Sequence, residues 1–290
     1  EGENDGVFDP DDYILFYGQG PHHWATNPTN KTASHIQNIY SDKAYYFITV
    51  NELDGKRIQQ KAPLTSSASQ TITTFDEFVF HEKELINIFA TGTQWFGENL
   101  SFENSTTIRI PFQKALANSP LSIKVRGATV SSTASTMEVS MNSQNLFTIN
   151  FPAVNPSSLT KGFAIDNSKT FENSSESLEL TVSFNNNGNP SANGYLDYIE
   201  VVGKKQLVAD GTPFSFRSFE QANATSTVAF QIGNATNVAQ VWDVSNHTAP
   251  ESIINENPTG STFDFRGEAG ILKEYTVLGS TGFYIPETVQ

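Results

Sequence analysis

The chain has 290 residues, with 31 Asp and Glu against 17 Lys and Arg, a formal net charge of -14, and no cysteine. That balance disfavours nucleic acid and anionic lipid, which both require clustered Lys and Arg, and the missing thiols exclude disulfides, thiolate metal sites and cysteine nucleophiles within this chain. No apolar run approaches the roughly 20 residues of a membrane-spanning helix; the 37% hydrophobic, 12% aromatic and 17% charged content instead fits an exported β protein of one to three domains.

The chain opens on an acidic loop in which Glu1, Glu3, Asp5, Asp9 and Asp12 surround Gly6. Oxygen ligands at positions 1, 3, 5, 9 and 12 with Gly at 6 match the spacing of an EF-hand-like calcium loop, and Glu3, Asp5, Asp9 and Asp12 are the candidate Ca²⁺ ligands. Asp at the twelfth position is shorter than the usual bidentate Glu, and no flanking helix is expected, so the same residues also read as a solvated acidic turn. No signal peptide is visible, and a start inside such a loop is expected of a segment belonging to a longer chain.

Strand signals then dominate. Residues 13–17, 44–50, 71–80, 107–112, 121–130, 136–141, 146–151, 178–184, 195–202, 227–232, 240–244 and 271–277 are rich in β-branched or aromatic side chains. Leu178, Leu180, Val182 and Phe184 share one face of a period-2 segment, the pattern of a half-buried antiparallel strand. One helix is predicted over 81–89, where Leu85, Ile88 and Phe89 fall at i, i+3 and i+4 before Gly92. Trp95 and Phe96 are expected in a seam between domains. The fold class is therefore all-β and mainly antiparallel: a small N-terminal β-rich domain over 1–98 with one short helix, and a jelly-roll-like sandwich over 99–207. Residues 208–290 either complete that sandwich or form a small subdomain.

Few residues suggest chemistry. No Gly-x-Ser-x-Gly elbow is present, and His81-Glu82 begins no His-Glu-x-x-His because position 85 is Leu. The other histidines, His22, His23, His35 and His247, show no ligand spacing, so no catalytic residue is assigned. Asp197 and Glu200 are three apart on a predicted strand, which points them to opposite faces, with Glu200 exposed. Trp24, in a predicted loop, and Tyr195 are the candidate ligand-binding aromatics for a carbohydrate-binding sandwich, whereas Trp242 falls mid-strand and is expected in the core.

Several segments also carry a family resemblance, in order along most of the chain. They are the run from Asp5-Gly6-Val7-Phe8-Asp9-Pro10 to Phe16-Tyr17-Gly18, and Asn38-Ile39-Tyr40-Ser41-Asp42 leading into Tyr45-Tyr46-Phe47-Ile48. His81-Glu82-Lys83-Glu84-Leu85-Ile86-Asn87 with Gln94-Trp95-Phe96-Gly97-Glu98, then Gly194-Tyr195-Leu196-Asp197-Tyr198-Ile199-Glu200 and Val241-Trp242-Asp243-Val244, complete it. Together they resemble the region preceding the peptidase domain in the gingipain-like cysteine peptidases that act as sortases of the type IX secretion system in Bacteroidetes. The resemblance implies a non-catalytic N-terminal scaffold or interaction region, exported to the cell surface or outer membrane. It would belong to a parent that processes C-terminal sorting signals of secreted proteins. The implied partners are the peptidase domain of the same parent chain and other secretion components or cargo. The family's Cys–His pair has no counterpart here, since the chain has no Cys.

Overall fold

The structure, a computed structural model, describes residues 13–49, 55–88 and 92–287. The calcium-loop candidates Glu3, Asp5, Asp9 and Asp12, and the helix residue Phe89, lie outside the described residues. Two β-sandwiches and a hairpin make up the fold.

The first sandwich uses β5 (Thr74–Glu82), β6 (Ser105–Pro111), β7 (Ser119–Val130), β8 (Ser135–Met141), β9 (Gln144–Phe151), β10 (Phe163–Asn173), β11 (Ser177–Asn185) and β12 (Asn193–Gln206). They form two four-stranded antiparallel sheets, ordered β10-β7-β12-β5 and β6-β11-β8-β9. That interleaving of eight strands is the jelly-roll order. It takes its first strand, β5, from within the span expected of the N-terminal domain. Alternation produces the core: Leu178, Leu180 and Val182 of β11 are fully buried against Met137 and Val139 of β8, and face Ile123 and Val125 of β7 and Ile199 and Val201 of β12. Each such aliphatic side chain contributes about 1.5–3 kcal/mol on burial. Asn142 (φ 49) and Ser143 (φ 67) make the two-residue turn between β8 and β9, whose doubly left-handed backbone matches strand twist. Gly194 admits the ring of Phe184, since a Cβ there would stand 2.6 Å from the ring.

Residues beyond 207 form a second sandwich. β13 (Phe214–Arg217), β14 (Val228–Ile232), β15 (Val238–Asp243), β16 (Glu251–Ile253), β17 (Phe263–Gly267) and β18 (Glu274–Gly279) are joined by β3 (Gln59–Gln60) and β4 (Thr71–Ile72) in sheets ordered β13-β18-β15-β16-β3 and β17-β14-β4. Among the pairings between these strands, those of β3 and β4 are parallel. The core is aromatic: Phe216, Phe230, Phe265 and Tyr275 pack with ring centroids 5.0–5.6 Å apart. Phe75 of β5 enters this core, so β5 serves both sandwiches. Trp242 is buried beside Val244 and Leu278.

The helix predicted over 81–89 is not formed by the described residues. His81 and Glu82 end β5, and Leu85 and Ile86 spend their N–H groups on Phe96 O (3.0 and 2.9 Å). A chain bridged sideways in this way has no N–H left for an i−4 carbonyl. The α-helix that does form, α1 (Phe219–Asn223), starts at Ser218, whose Oγ accepts from the N–H groups of Glu220 and Gln221. Asp76 of β5 caps it further, accepting the Phe219 N–H at 2.6 Å, and thereby ties the second sandwich to the first. No helix of the described residues is long and apolar enough to cross a membrane.

Candidate functional site

The outer face of the β10-β7-β12-β5 sheet is where side chains of unlike character meet. The β5–β12 register sets Phe80 opposite Glu200 and Glu82 opposite Tyr198; β7 adds Lys124 opposite Glu200 and Arg126 opposite Tyr198. An antiparallel sheet can leave such a face in water. Here the hairpin of β1 (His23–Asn27) and β2 (Thr32–Ile36) covers part of it. Trp24, Ala33 and His35 pack down on Phe78, Phe80 and Val202.

His35 is the clasp. Its ring stacks on Phe80 with centroids 4.4 Å apart and meets the Tyr198 ring edge-on at 4.8 Å. Nδ1 lies 2.7 Å from Glu200 Oε1, the His35 backbone N–H donates to the same oxygen at 2.8 Å, and Nε2 bonds Glu82. Burial alone would lower the His35 pKa, but hydrogen bonds to Glu200 and Glu82 outweigh it and raise it to about 9. The ring therefore carries two protons and donates to both carboxylates. Burial works against the Glu200 charge, yet the His35 bonds win and hold its carboxyl below the usual range. Glu200 is only 3% exposed, which corrects the expectation of an exposed residue.

A β-bulge explains the neighbouring geometry. The register between β12 and β7 shifts between Leu196 and Tyr198, making Asp197 the extra residue. Simple alternation would send Asp197 and Glu200 to opposite faces; after the bulge, Asp197 lines the same outer cavity as Tyr198, while Arg126 Nη1 donates to its Oδ2 at 2.9 Å. Burial, only partly offset by Arg126, pushes the Asp197 carboxyl to about 6. Beyond the clasp lies an open cavity of about 230 Å³ bounded by His35, Gln37, Glu82, Glu84, Trp95 and Asp197, among others. Burial and the adjacent Glu82, then Asp197 and Asp42, lift the Glu84 carboxyl to about 7. Trp95, expected in an interdomain seam, is 39% exposed on this wall, whereas Phe96 is buried.

His35 is not set up as a general base. A general base needs a free nitrogen within reach of a proton, and both His35 nitrogens are held by carboxylates. Of the residues singled out in sequence, Trp24 stands on β1, half-buried against Phe78 and Phe80, and Tyr195 stands half-buried on β12 beside Phe96 at 6.3 Å. Among the described residues no group of three His, Asp or Glu is placed to hold a metal ion. His35, Glu82, Glu84 and Arg126 were not marked by any local motif. They come from β2, β5 and β7 and the segment after β5, and only strand pairing brings them together.

No family model matches the chain, and no curated protein matches it. Among solved structures, dimeric latent PorU from Porphyromonas gingivalis superposes with a TM-score of 0.74 and 20% identity, covering 92% of this chain and 27% of that one. A carbohydrate-binding module, CBM36 in complex with calcium and xylotriose, overlaps 43% of this chain and 98% of its own at a TM-score of 0.29 and 16% identity. A CBM36-1 domain of a xylanase from the hindgut metagenome of Trinervitermes trinervoides overlaps 43% of this chain and 95% of its own at 0.28 and 12% identity. Both overlaps are too slight to bear on this chain. The chain thus has the fold of a PorU region and spans about a quarter of the length of PorU.

Proposed function

We propose that the chain is a non-catalytic N-terminal scaffold of an exported, cell-surface sortase-type cysteine peptidase, and that it positions a peptidase domain of the same parent chain. The observation that carries this reading is the fold shared with PorU over 92% of the chain. The sequence segments that resemble that family add to it. His81 to Asn87, Gln94 to Glu98 and Gly194 to Glu200 supply the end of β5, the Trp95 wall and the Asp197 bulge, so they converge on one cavity. With no cysteine, the chain brings no thiol nucleophile of its own, and the chemistry falls to the rest of the parent. In this reading the substrate is the C-terminal sorting signal of secreted cargo.

The test is the coding sequence beyond Gln290. A following α/β domain with a paired His and Cys supports the proposal. A stop codon or an unrelated module overturns it.

A further inference from the structure

We propose that the cavity beside the His35 clasp receives one cationic side chain, a lysine ammonium or arginine guanidinium, from a partner polypeptide. This goes beyond the scaffold reading and does not depend on it. The first ground is unmet hydrogen bonding. Glu84 Oε2 and Gln37 Oε1 are both buried and have no partner, and both residues line the cavity. Buried acceptors without donors are costly, and a ligand that brings N–H groups removes that cost. The second ground is charge. Arg126 is committed to Asp197 and His35 to Glu82 and Glu200, while Lys83 turns to Glu98. Glu84 has no ion-pair cation among the described residues; it shares a hydrogen bond with Glu82, and the charges of Glu82 and Asp197 repel it. A bound cation supplies the missing charge.

The third ground is size and wall chemistry. At about 230 Å³ the cavity is smaller than the ~300–1,000 Å³ that encloses drug-sized ligands. One long side chain fits such a space. Trp95 and Tyr198 are aromatic walls of the kind that attract cations, and Tyr198 already takes Lys124 Nζ at 5.3 Å from its ring centroid. The rim favours a polypeptide over a free amine. Ile39 and Trp95 are 42% and 39% exposed around the opening, an apolar border for the backbone and neighbouring residues of the incoming chain.

The chain is titrated with acetyl-lysine amide and acetyl-arginine amide, with uncharged acetyl-norleucine amide and acetyl-citrulline amide as isosteres, and with n-butylammonium. The readout is the Trp95 indole and Gln37 side-chain amide signals in ¹H–¹⁵N NMR. The expected result is saturable shifts with the cationic pair, at least tenfold weaker binding of the isosteres, and weaker binding of n-butylammonium than of the blocked lysine. Glu84→Gln, checked for an unchanged melting temperature, is expected to lose about tenfold in affinity, and Gln37→Leu is expected to lose affinity as well. No saturable shift at about 20 mM probe, where a ~1 mM site is full, overturns the proposal. So do isosteres that bind as tightly as the cations, or Glu84→Gln and Gln37→Leu proteins that bind like the original. Equal binding of n-butylammonium overturns the assignment to a polypeptide side chain.

Discussion

Replacing His35 by Gln tests the clasp most directly. The ring's pKa rises from 6.5 to about 9, which corresponds to about 3 kcal/mol of preference for the protonated ring in the fold. The His35 side chain is 4% exposed and Glu200 3%, so little solvent screening reduces that figure. Because the folded pKa lies above the unfolded one, the stabilisation is fully present below about pH 6.5 and is lost as pH rises through 9. Gln keeps one donor but brings no charge, leaving Glu200 to Lys124 at 3.5 Å and Glu82 without its charged partner. Urea unfolding of both proteins, followed by Trp fluorescence, is the assay; Trp24, with its ring 5.9 Å from His35, reports on the clasp locally. The substitution is expected to cost about 3 kcal/mol at pH 6 and under about 1 kcal/mol at pH 10. Comparing the two proteins at each pH cancels the titration of groups they share. An equal cost at both pH values, or an imidazole that titrates near 6.5 by NMR, refutes the charge-clasp argument.

Three further outcomes are expected. Asp243 is 4% exposed between Lys61 Nζ at 2.7 Å and Lys273 Nζ at 3.3 Å, so Asp243→Ala leaves Lys61 to Glu251 at 3.5 Å and Lys273 to Glu268 at 3.4 Å and should cost ~1.5–3 kcal/mol in urea unfolding, with Trp242 as reporter; a cost below 1 kcal/mol contradicts this. Gly194→Ala drives a methyl group into Phe184, 2.6 Å away, and should destabilise by ~1–3 kcal/mol; an unchanged melting temperature means that the ring moves freely aside. If the Glu3, Asp5, Asp9 and Asp12 loop holds Ca²⁺, saturating calcium stabilises the chain by RT ln(1 + [L]/Kd), and identical melting curves in calcium and in chelator sink that assignment.

The jelly-roll-like sandwich was legible because its signal is local. Leu178, Leu180, Val182 and Phe184 alternate along one strand, and the face they define is the face that is buried. The false helix over 81–89 shows the limit of the same logic. Leu85 and Ile88 have helical spacing, but Leu85 is 60% exposed and its N–H is claimed by Phe96. A bridge to Phe96 decided that segment, and the periodicity of residues 81–89 does not contain it. The cavity was illegible for a related reason. His35 and Glu200 lie 165 residues apart, and the residue that re-aims the acidic face, Asp197, acts through a bulge that period-2 reading cannot see.

The buried triad of Glu82, His35 and Glu200 also bears on why the hairpin sits where it does. Replacing buried ions by well-packed apolar groups is often neutral or stabilising, so net stability is a poor reason for such a cluster. Register is a better one. On β2 the side chains alternate, and a slip of one residue would bring Ser34 or Ile36 to the position of His35. Apolar packing of Trp24 on Phe78 and Phe80 would tolerate small slips, since aromatic surfaces are broad. The carboxylates would not, because each would lose the His35 donor in a place that water barely reaches. The clasp thus fixes one docking of the hairpin on the sheet. It thereby fixes the positions of Gln37 and Ile39, just past β2, on the cavity wall. A surface that receives one partner group, as proposed for this cavity, needs walls held in this way.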